Sequence, residues 1–252
     1  MYTLKKSFGQ HFLNDETICR QIVASLPVQP GNQVLEIGPG GGAITKYLLA
    51  IPGITFKAVE LDREKVVYLQ NTFPEIAGKL IEKDFLKLDK PYEGLFNVIG
   101  NFPYNISTQI MFKVIDWEPD VPVVVGMFQK EVAQRICSAP GSKVYGILSV
   151  IIQAYYQAEY LFDVHEQSFT PPPKVKSGVI RLTTLNNPHG ITDKRGFIHL
   201  VKMAFGQRRK TLRNCLKGMY SADQLKSSIF DKRAEQLSVS DFVDLHRLHK
   251  GE

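Results

Sequence analysis

"QVLEIGPGGGAIT" (Gln33–Thr45) places a short apolar run, a glycine-rich loop and a second apolar run in immediate succession. "QVLEI" has the length of a buried strand, while "AITKYLLA" has helical periodicity. Glycines between them let the backbone turn sharply and approach a ligand with no side chain in the way, and the following helix start offers free N–H donors. The stretch therefore predicts a strand–loop–helix unit with a cofactor loop. Gly38 to Ala43 also satisfies the G-x-G-x-x-A form of a dinucleotide site, so the loop by itself leaves the cofactor open.

The same alternation continues outward from this unit. "TFKAVEL", "KLIEK", "FNVIG" and "VPVVVGMF" read as strands, with the helical patterns "REKVVYLQNTF" and "STQIMFKVI" between them. Repeated βα units predict a parallel sheet with helices on both faces. "EYLFDVH" and "SGVIRLTTL" flank the proline-rich "FTPPPKV" with no helical stretch between, and predict an antiparallel pair that closes the sheet. "NNPHG" (Asn186–Gly190) breaks the pattern with turn formers. Beyond it, "GFIHLVKMAF", "TLRNCLKGMY" and "SDFVDLHRLHK" are helical throughout. The expected division is a catalytic domain over residues 1–185 and a small all-helical domain over 186–252.

Composition agrees with a packed soluble chain: 252 residues, 44% hydrophobic and 22% charged. No apolar run reaches the ~18 residues that span a bilayer, and "MYTLKKSFGQHFL" lacks a secretory apolar stretch, so a cytoplasmic location is expected. Cys19, Cys137 and Cys215 are odd in number and far apart, which argues against a disulfide framework or a zinc site. The net charge of +6 is uneven. Residues 1–185 carry 18 Lys+Arg against 18 Asp+Glu, and residues 186–252 carry 13 against 7. Arg208, Arg209, Lys210, Arg213 and Lys217 cluster in "GQRRKTLRNCLK", which suits phosphate binding as well as a solvated face.

Two acids mark strand ends. Glu60, in "KAVELD", stands where a carboxylate can accept from two ribose hydroxyls, an arrangement compatible with either NAD or S-adenosylmethionine. Asp84, in "LIEKDF", can accept from an adenine amine or cap a helix. Ligands of open α/β sheets lie at the carboxyl ends of strands, so the repeated placement outweighs either residue alone.

"GNFPYNIS" (Gly100–Ser107) separates the two cofactors. Its Asn-x-Pro-Tyr resembles the catalytic motif of S-adenosylmethionine-dependent enzymes that methylate adenine amines, a combination no dehydrogenase needs. An adenine exocyclic nitrogen is a poor nucleophile because its lone pair is delocalised into the ring. The Asn101 side-chain oxygen and a backbone carbonyl at Phe102 or Pro103 could hold its two hydrogens and favour a pyramidal nitrogen. Pro103 stiffens the turn, and the Tyr104 ring can stack on the base.

Over nearly its whole length the chain resembles the KsgA-type rRNA adenine N6,N6-dimethyltransferase family. "FGQHFLND", "EIGPGGG", "NFPYNIST", "QKEVAQRI", "SKVYGILSV", "FTPPPKVKSGVIRL" and "FGQRRKTLRN" carry the resemblance. It implies a Rossmann-like methyltransferase domain, with a mostly parallel seven-stranded sheet and an antiparallel closing strand, plus a C-terminal helical RNA- and ribosome-binding domain. S-adenosylmethionine is the implied cofactor, S-adenosylhomocysteine its product, and no metal is expected. His11 and Leu13 would contact the cofactor, Gly38 its methionine end, Glu60 the ribose, Asp84 the adenine and Asn101 the methyl, with Glu36 and Gly40 nearby. Phe169 would face Tyr104 across the target base, and Arg208, Arg209, Lys210 and Arg213 would bind RNA. The implied substrate is two adjacent adenosines in the 3′-terminal hairpin loop of small-subunit (16S) rRNA, on an immature subunit, by a monomer. Phe102 departs from the Leu expected at that position.

His246 and His249 with Asp244 invite a metal reading, but a solvated terminal face is expected because no further ligands accompany them. The segment around Lys143 is a candidate mobile loop. Rival readings are the macrolide-resistance type of large-subunit methyltransferase, a DNA adenine methyltransferase and a non-catalytic RNA-binding assembly factor.

Overall fold

The computed structural model describes Phe12 to Gly251. In chain order the elements are β1 (Phe12–Leu13), α1 (Glu16–Ala24), β2 (Gln33–Ile37), α2 (Thr45–Leu49), β3 (Thr55–Glu60), α3 (Arg63–Thr72), β4 (Leu80–Glu82), β5 (Phe96–Asn101) and α4 (Ser107–Trp117). There follow β6 (Val123–Gln129), α5 (Lys130–Ile136), α6 (Ile147–Gln153), β7 (Tyr156–Val164), β8 (Phe169–Thr170), β9 (Ser177–Thr184), α7 (Lys194–Phe205), α8 (Leu212–Cys215) and α9 (Val239–Lys250).

Seven strands form one sheet in the order β4-β3-β2-β5-β6-β9-β7. The pairs from β4 to β6 are parallel, and β9 runs antiparallel to β6. β2 and β5 read as near-continuous apolar runs because both faces of a central parallel strand are covered, and Val34, Leu35, Val98 and Ile99 are fully buried. From β2 the chain first builds outward through β3 and β4, then returns to β5 on the other side. The loops leaving β2 and β5 therefore diverge and open a crevice at the carboxyl ends of these strands. Both motifs singled out in the sequence, the glycine loop and Asn101–Tyr104, leave from those two strands.

A second, two-stranded sheet pairs β1 with β8, Leu13 opposite Phe169. Asn14 reinforces it, its N–H donating to the Ser168 carbonyl at 2.9 Å and its side chain to Thr170 Oγ1 at 2.6 Å.

The chain divides into two compact units. One holds residues up to Ala133 together with Ala158–Thr184, the other Gln134–Gln157 together with the residues from Leu185 onward. The second unit therefore takes in residues 134–157, which the expected break at Asn186 left with the sheet. The reason is α6, whose Leu148, Ser149, Val150, Ile151 and Ile152 are all buried. A helix apolar on every side needs partners all round it. Within the second unit α7 supplies Phe197, Leu200, Val201 and Ala204 at helical spacing.

Candidate active site

A cleft of about 310 Å³ opens at the carboxyl ends of β2, β3 and β5. Its wall on the β2 side is the loop from Gly38, where Gly38 and Gly40 have φ of +67° and +59°, in the left-handed region that side chains disfavour. The Gly38 N–H donates to the Val59 carbonyl at 2.9 Å and ties the loop to β3. A side chain on Gly38 would begin 3.8 Å from Pro103 Cδ, so the loop and the Asn-x-Pro-Tyr turn face each other at contact distance. Phe12 and Leu13 of β1 complete the rim.

Glu36, Glu60, Asp62 and Asp84 are the four carboxylates that line this cleft. Glu60, at the tip of β3, accepts on Oε1 from the Leu61 and Asp62 N–H groups at 2.9 Å each. Its Oε2 accepts from the Gly40 N–H at 3.3 Å and lies 3.9 Å from Lys65 Nζ. One oxygen is thus held by its own turn while the other leans toward the glycine loop. Glu36 is only 1% exposed, and Thr45 Oγ1 donates to its Oε2 at 2.7 Å. Burial pushes the Glu36 carboxyl up to about 8, against the pull of the Thr45 hydrogen bond and with a further push from the Glu60 charge. Asp84 caps the short turn Phe85–Lys87, Oδ1 accepting from the Leu86 N–H at 2.9 Å, and borders the cleft as well.

Asn101 ends β5, half-buried. The next residue settles what Phe102 does: its ring is fully buried, edge-on to Phe128 with centroids 5.2 Å apart. The aromatic side chain therefore packs in the core beside the cleft, whose lining includes Phe102. The two candidate carbonyls also differ. That of Pro103 accepts from the Ile106 N–H at 3.1 Å; among the described residues no hydrogen bond reaches that of Phe102. Tyr104 OH shares a 2.5 Å hydrogen bond with Ser177 Oγ on β9. Burial raises the Tyr104 pKa, and the bond to Ser177 opposes the rise. Ser177, Thr45 and Lys65 are side chains of this site that sequence reading missed, since none lies in a motif that announces its partner.

His11 lies outside the described residues. Leu13 does line the cleft, but Phe169 is only 2% exposed and is absent from its lining. Pairing of β8 with β1 sets Phe169 opposite Leu13, and its ring joins the core cluster that includes Val125, Met127 and Val179. In the helical unit Arg208 donates to the Lys143 carbonyl, with the Tyr145 carbonyl at 3.5 Å. Arg213 donates to Asp231 Oδ1 at 2.5 Å and to the Leu225 carbonyl at 2.5 Å. Both arginines have partners in their own unit, although Arg208 is itself exposed, whereas the exposed Arg209 and Lys210 make no ion pair among the described residues. The Lys143 segment is pinned, its Gly141 N–H donating to the Glu235 carbonyl at 2.7 Å. His246 is 5% exposed, against the Phe197 ring, rather than on a solvated face. No group of three or more metal-ligating side chains occurs among the described residues.

The chain matches the family described as ribosomal RNA adenine dimethylase over residues 1–249. A relative from Cytophaga hutchinsonii, named ribosomal RNA small subunit methyltransferase A, is 51% identical across 98% of this chain and 97% of its own length. A crystal structure of a dimethyladenosine transferase from Plasmodium falciparum superposes with a TM-score of 0.82, at 25% identity, covering 96% of this chain and 98% of that one. The structure of the 23S rRNA methyltransferase ErmE shares the fold with a TM-score of 0.68 at 20% identity, over 92% of this chain and 98% of that one.

Proposed function

Because the chain belongs to the ribosomal RNA adenine dimethylase family, we propose that it uses S-adenosylmethionine to dimethylate N6 of adenosines in small-subunit (16S) rRNA. We infer further that the substrate is the pair of adjacent adenosines in the 3′-terminal hairpin loop, met on an immature subunit by a cytoplasmic monomer. The observation that supports the chemistry is that Asn101, at the end of β5, and Phe102, whose carbonyl accepts no hydrogen bond among the described residues, both line the cleft opened by the glycine loop.

The residues present fit the cofactor. Glycines in left-handed conformations at 38 and 40 leave a cradle without side chains. The Glu60 oxygen that leans toward this loop can accept hydroxyl donors, and the second Asp84 oxygen can accept from an amine. When bound, S-adenosylmethionine supplies a methyl group on a good leaving group. The chain's own contribution is placement: Asn101 Oδ1 and the Phe102 carbonyl accept the two amine hydrogens and draw the nitrogen lone pair out of the ring. Tyr104, anchored through Ser177, offers the base a face to stack on. Positioning of this kind supplies most of the rate, so no strong general base is required. A loop base can be splayed from its stack at modest cost, which suits an enzyme acting on an exocyclic amine. Arg209, Lys210 and Lys217 are cations of the basic cluster that, among the described residues, make no ion pair and can meet phosphates.

Labelled S-adenosylmethionine with unmethylated small subunits, large subunits and DNA in parallel, followed by nucleoside analysis, tests the proposal. Label is expected in N6,N6-dimethyladenosine of the small subunit. Asn101→Ala is expected to slow single-turnover transfer by on the order of 10²–10³, as for loss of one positioned polar group, with subunit binding retained. Label confined to large subunits or DNA would refute the assignment.

A further inference from the structure

We propose that Gly126, on β6, is a positioning residue for methyl transfer: with Gly100 it forms the slot that seats the Phe102 ring and thereby aims the Phe102 carbonyl. The inference rests on the proposed role of that carbonyl as an acceptor for the adenine amine.

Gly100 and Gly126 are register partners on neighbouring parallel strands. Neither has a positive φ, so backbone conformation does not call for glycine at either position. Space does. A Cβ on Gly126 would lie 2.5 Å from Phe102 Cε2 and 2.7 Å from Phe128 Cε2. A Cβ on Gly100 would lie 2.6 Å from the Ile37 carbonyl oxygen and 2.9 Å from Phe102 Cε1. The two missing side chains thus face opposite edges of one ring. That ring is fully buried and abutted edge-on by Phe128, so it cannot swing aside.

Phe102 is also tied through its backbone, its N–H donating to the Met127 carbonyl at 3.2 Å, one residue along β6 from Gly126. Ring and carbonyl hang on the same Cα, so a methyl group at position 126 displaces both. Close-packed interiors pass such a displacement on rather than absorb it. Misplacement by about 1 Å costs on the order of 10²-fold in rate, so a shift of a few tenths of an ångström should cost roughly 3–10-fold. A Leu at position 102 is smaller than Phe and leaves room for a Cβ at 126. Residues 102 and 126 therefore form a size-complementary pair in this chain.

The test compares the unaltered chain, Gly126→Ala, Phe102→Leu and the double variant. Single-turnover rates on unmethylated small subunits, cofactor affinity by calorimetry and thermal unfolding are measured for each. Gly126→Ala is expected to lose roughly 3–10-fold in rate with cofactor affinity unchanged, and the double variant to recover the rate of Phe102→Leu alone. A full rate in Gly126→Ala, or a loss that Phe102→Leu does not rescue, would overturn the inference and leave the proposed function standing. A rate loss that merely tracks cofactor affinity would also overturn it. Failure of the unaltered chain to methylate small subunits would overturn the proposed function, and this inference with it.

Discussion

Glu36 is a carboxyl buried beside a cleft, with Thr45 as its hydrogen-bond donor. Its folded pKa of about 8 exceeds the ordinary 4.5. Between those values the folded chain keeps a proton that the unfolded chain has released. The stability this group contributes is therefore fully present below about 4.5 and lost as pH rises through about 8. Glu36→Gln keeps the acceptor for Thr45 and removes the ionisation. Urea unfolding of the cofactor-free protein across this range should show the unaltered chain losing stability with rising pH relative to the variant. Parallel curves would mean that Glu36 is already ionised at neutral pH. The same residue shows what sequence could reveal at this scale. "EIGPGGG" marks Glu36 as near the cofactor loop, but its protonation depends on a hydroxyl nine residues on and a carboxylate on the next strand, which no local pattern encodes.

At the scale of elements, the two-residue strands β1 and β8 bring the N-terminal segment to the cleft. Asp15 follows β1 and caps α1, its Oδ1 accepting from the Thr17 and Ile18 N–H groups at 3.0 and 3.2 Å. Its Oδ2 accepts from Ser168 Oγ at 3.1 Å, beside β8. One side chain thus joins helix, strand and partner strand. Asp15→Ala should cost about 1–2 kcal/mol, in the upper part of the range for a lost N-cap, lowering Tm by roughly 2–8 °C. Asp15→Asn should retain most of the cap. Because Leu13 lines the cleft, Asp15→Ala should also weaken cofactor binding measured by calorimetry. Unchanged affinity would separate the cap from the site. The longer strands were legible because β2, β3, β5 and β6 alternate with helical patterns and bury their apolar runs. β1 and β8 were not, since each exists only through a partner more than 150 residues away, as the Asn14–Thr170 bond illustrates. The same pairing hid the fate of Phe169, whose motif carries no sign that its ring turns into the core. α6 was missed as part of the helical unit because a short helix apolar on all faces has the same pattern as a buried strand.

Across the whole molecule, the net charge of +6 and its concentration after residue 185 overstate how many cations are free to meet an RNA backbone. Arg208 and Arg213 are spent on carbonyls and Asp231. Lys226, Arg247 and Lys250 face Asp223, Asp244 and Asp193. Arg209 and Lys210, in the turn between α7 and α8, are exposed and, among the described residues, without ion pairs. Sequence clustering placed all four candidates together; the structure adds that Arg208 and Arg213 have partners within their own unit. Each phosphate contact contributes about 0.7–0.9 to the slope of log affinity against log salt. Replacing Arg209 and Lys210 together with Ala should therefore flatten the slope for small-subunit binding by about 1.4–1.8 and leave Tm unchanged. Arg208→Ala and Arg213→Ala should do the reverse, lowering Tm because part-buried carbonyl acceptors lose their donors, with a smaller change in slope. Filter binding over a salt series, paired with thermal unfolding of the same four proteins, reads both quantities. If Arg208→Ala flattened the slope as much as the double variant while Tm stayed fixed, Arg208 would be a phosphate ligand and its carbonyl contacts incidental.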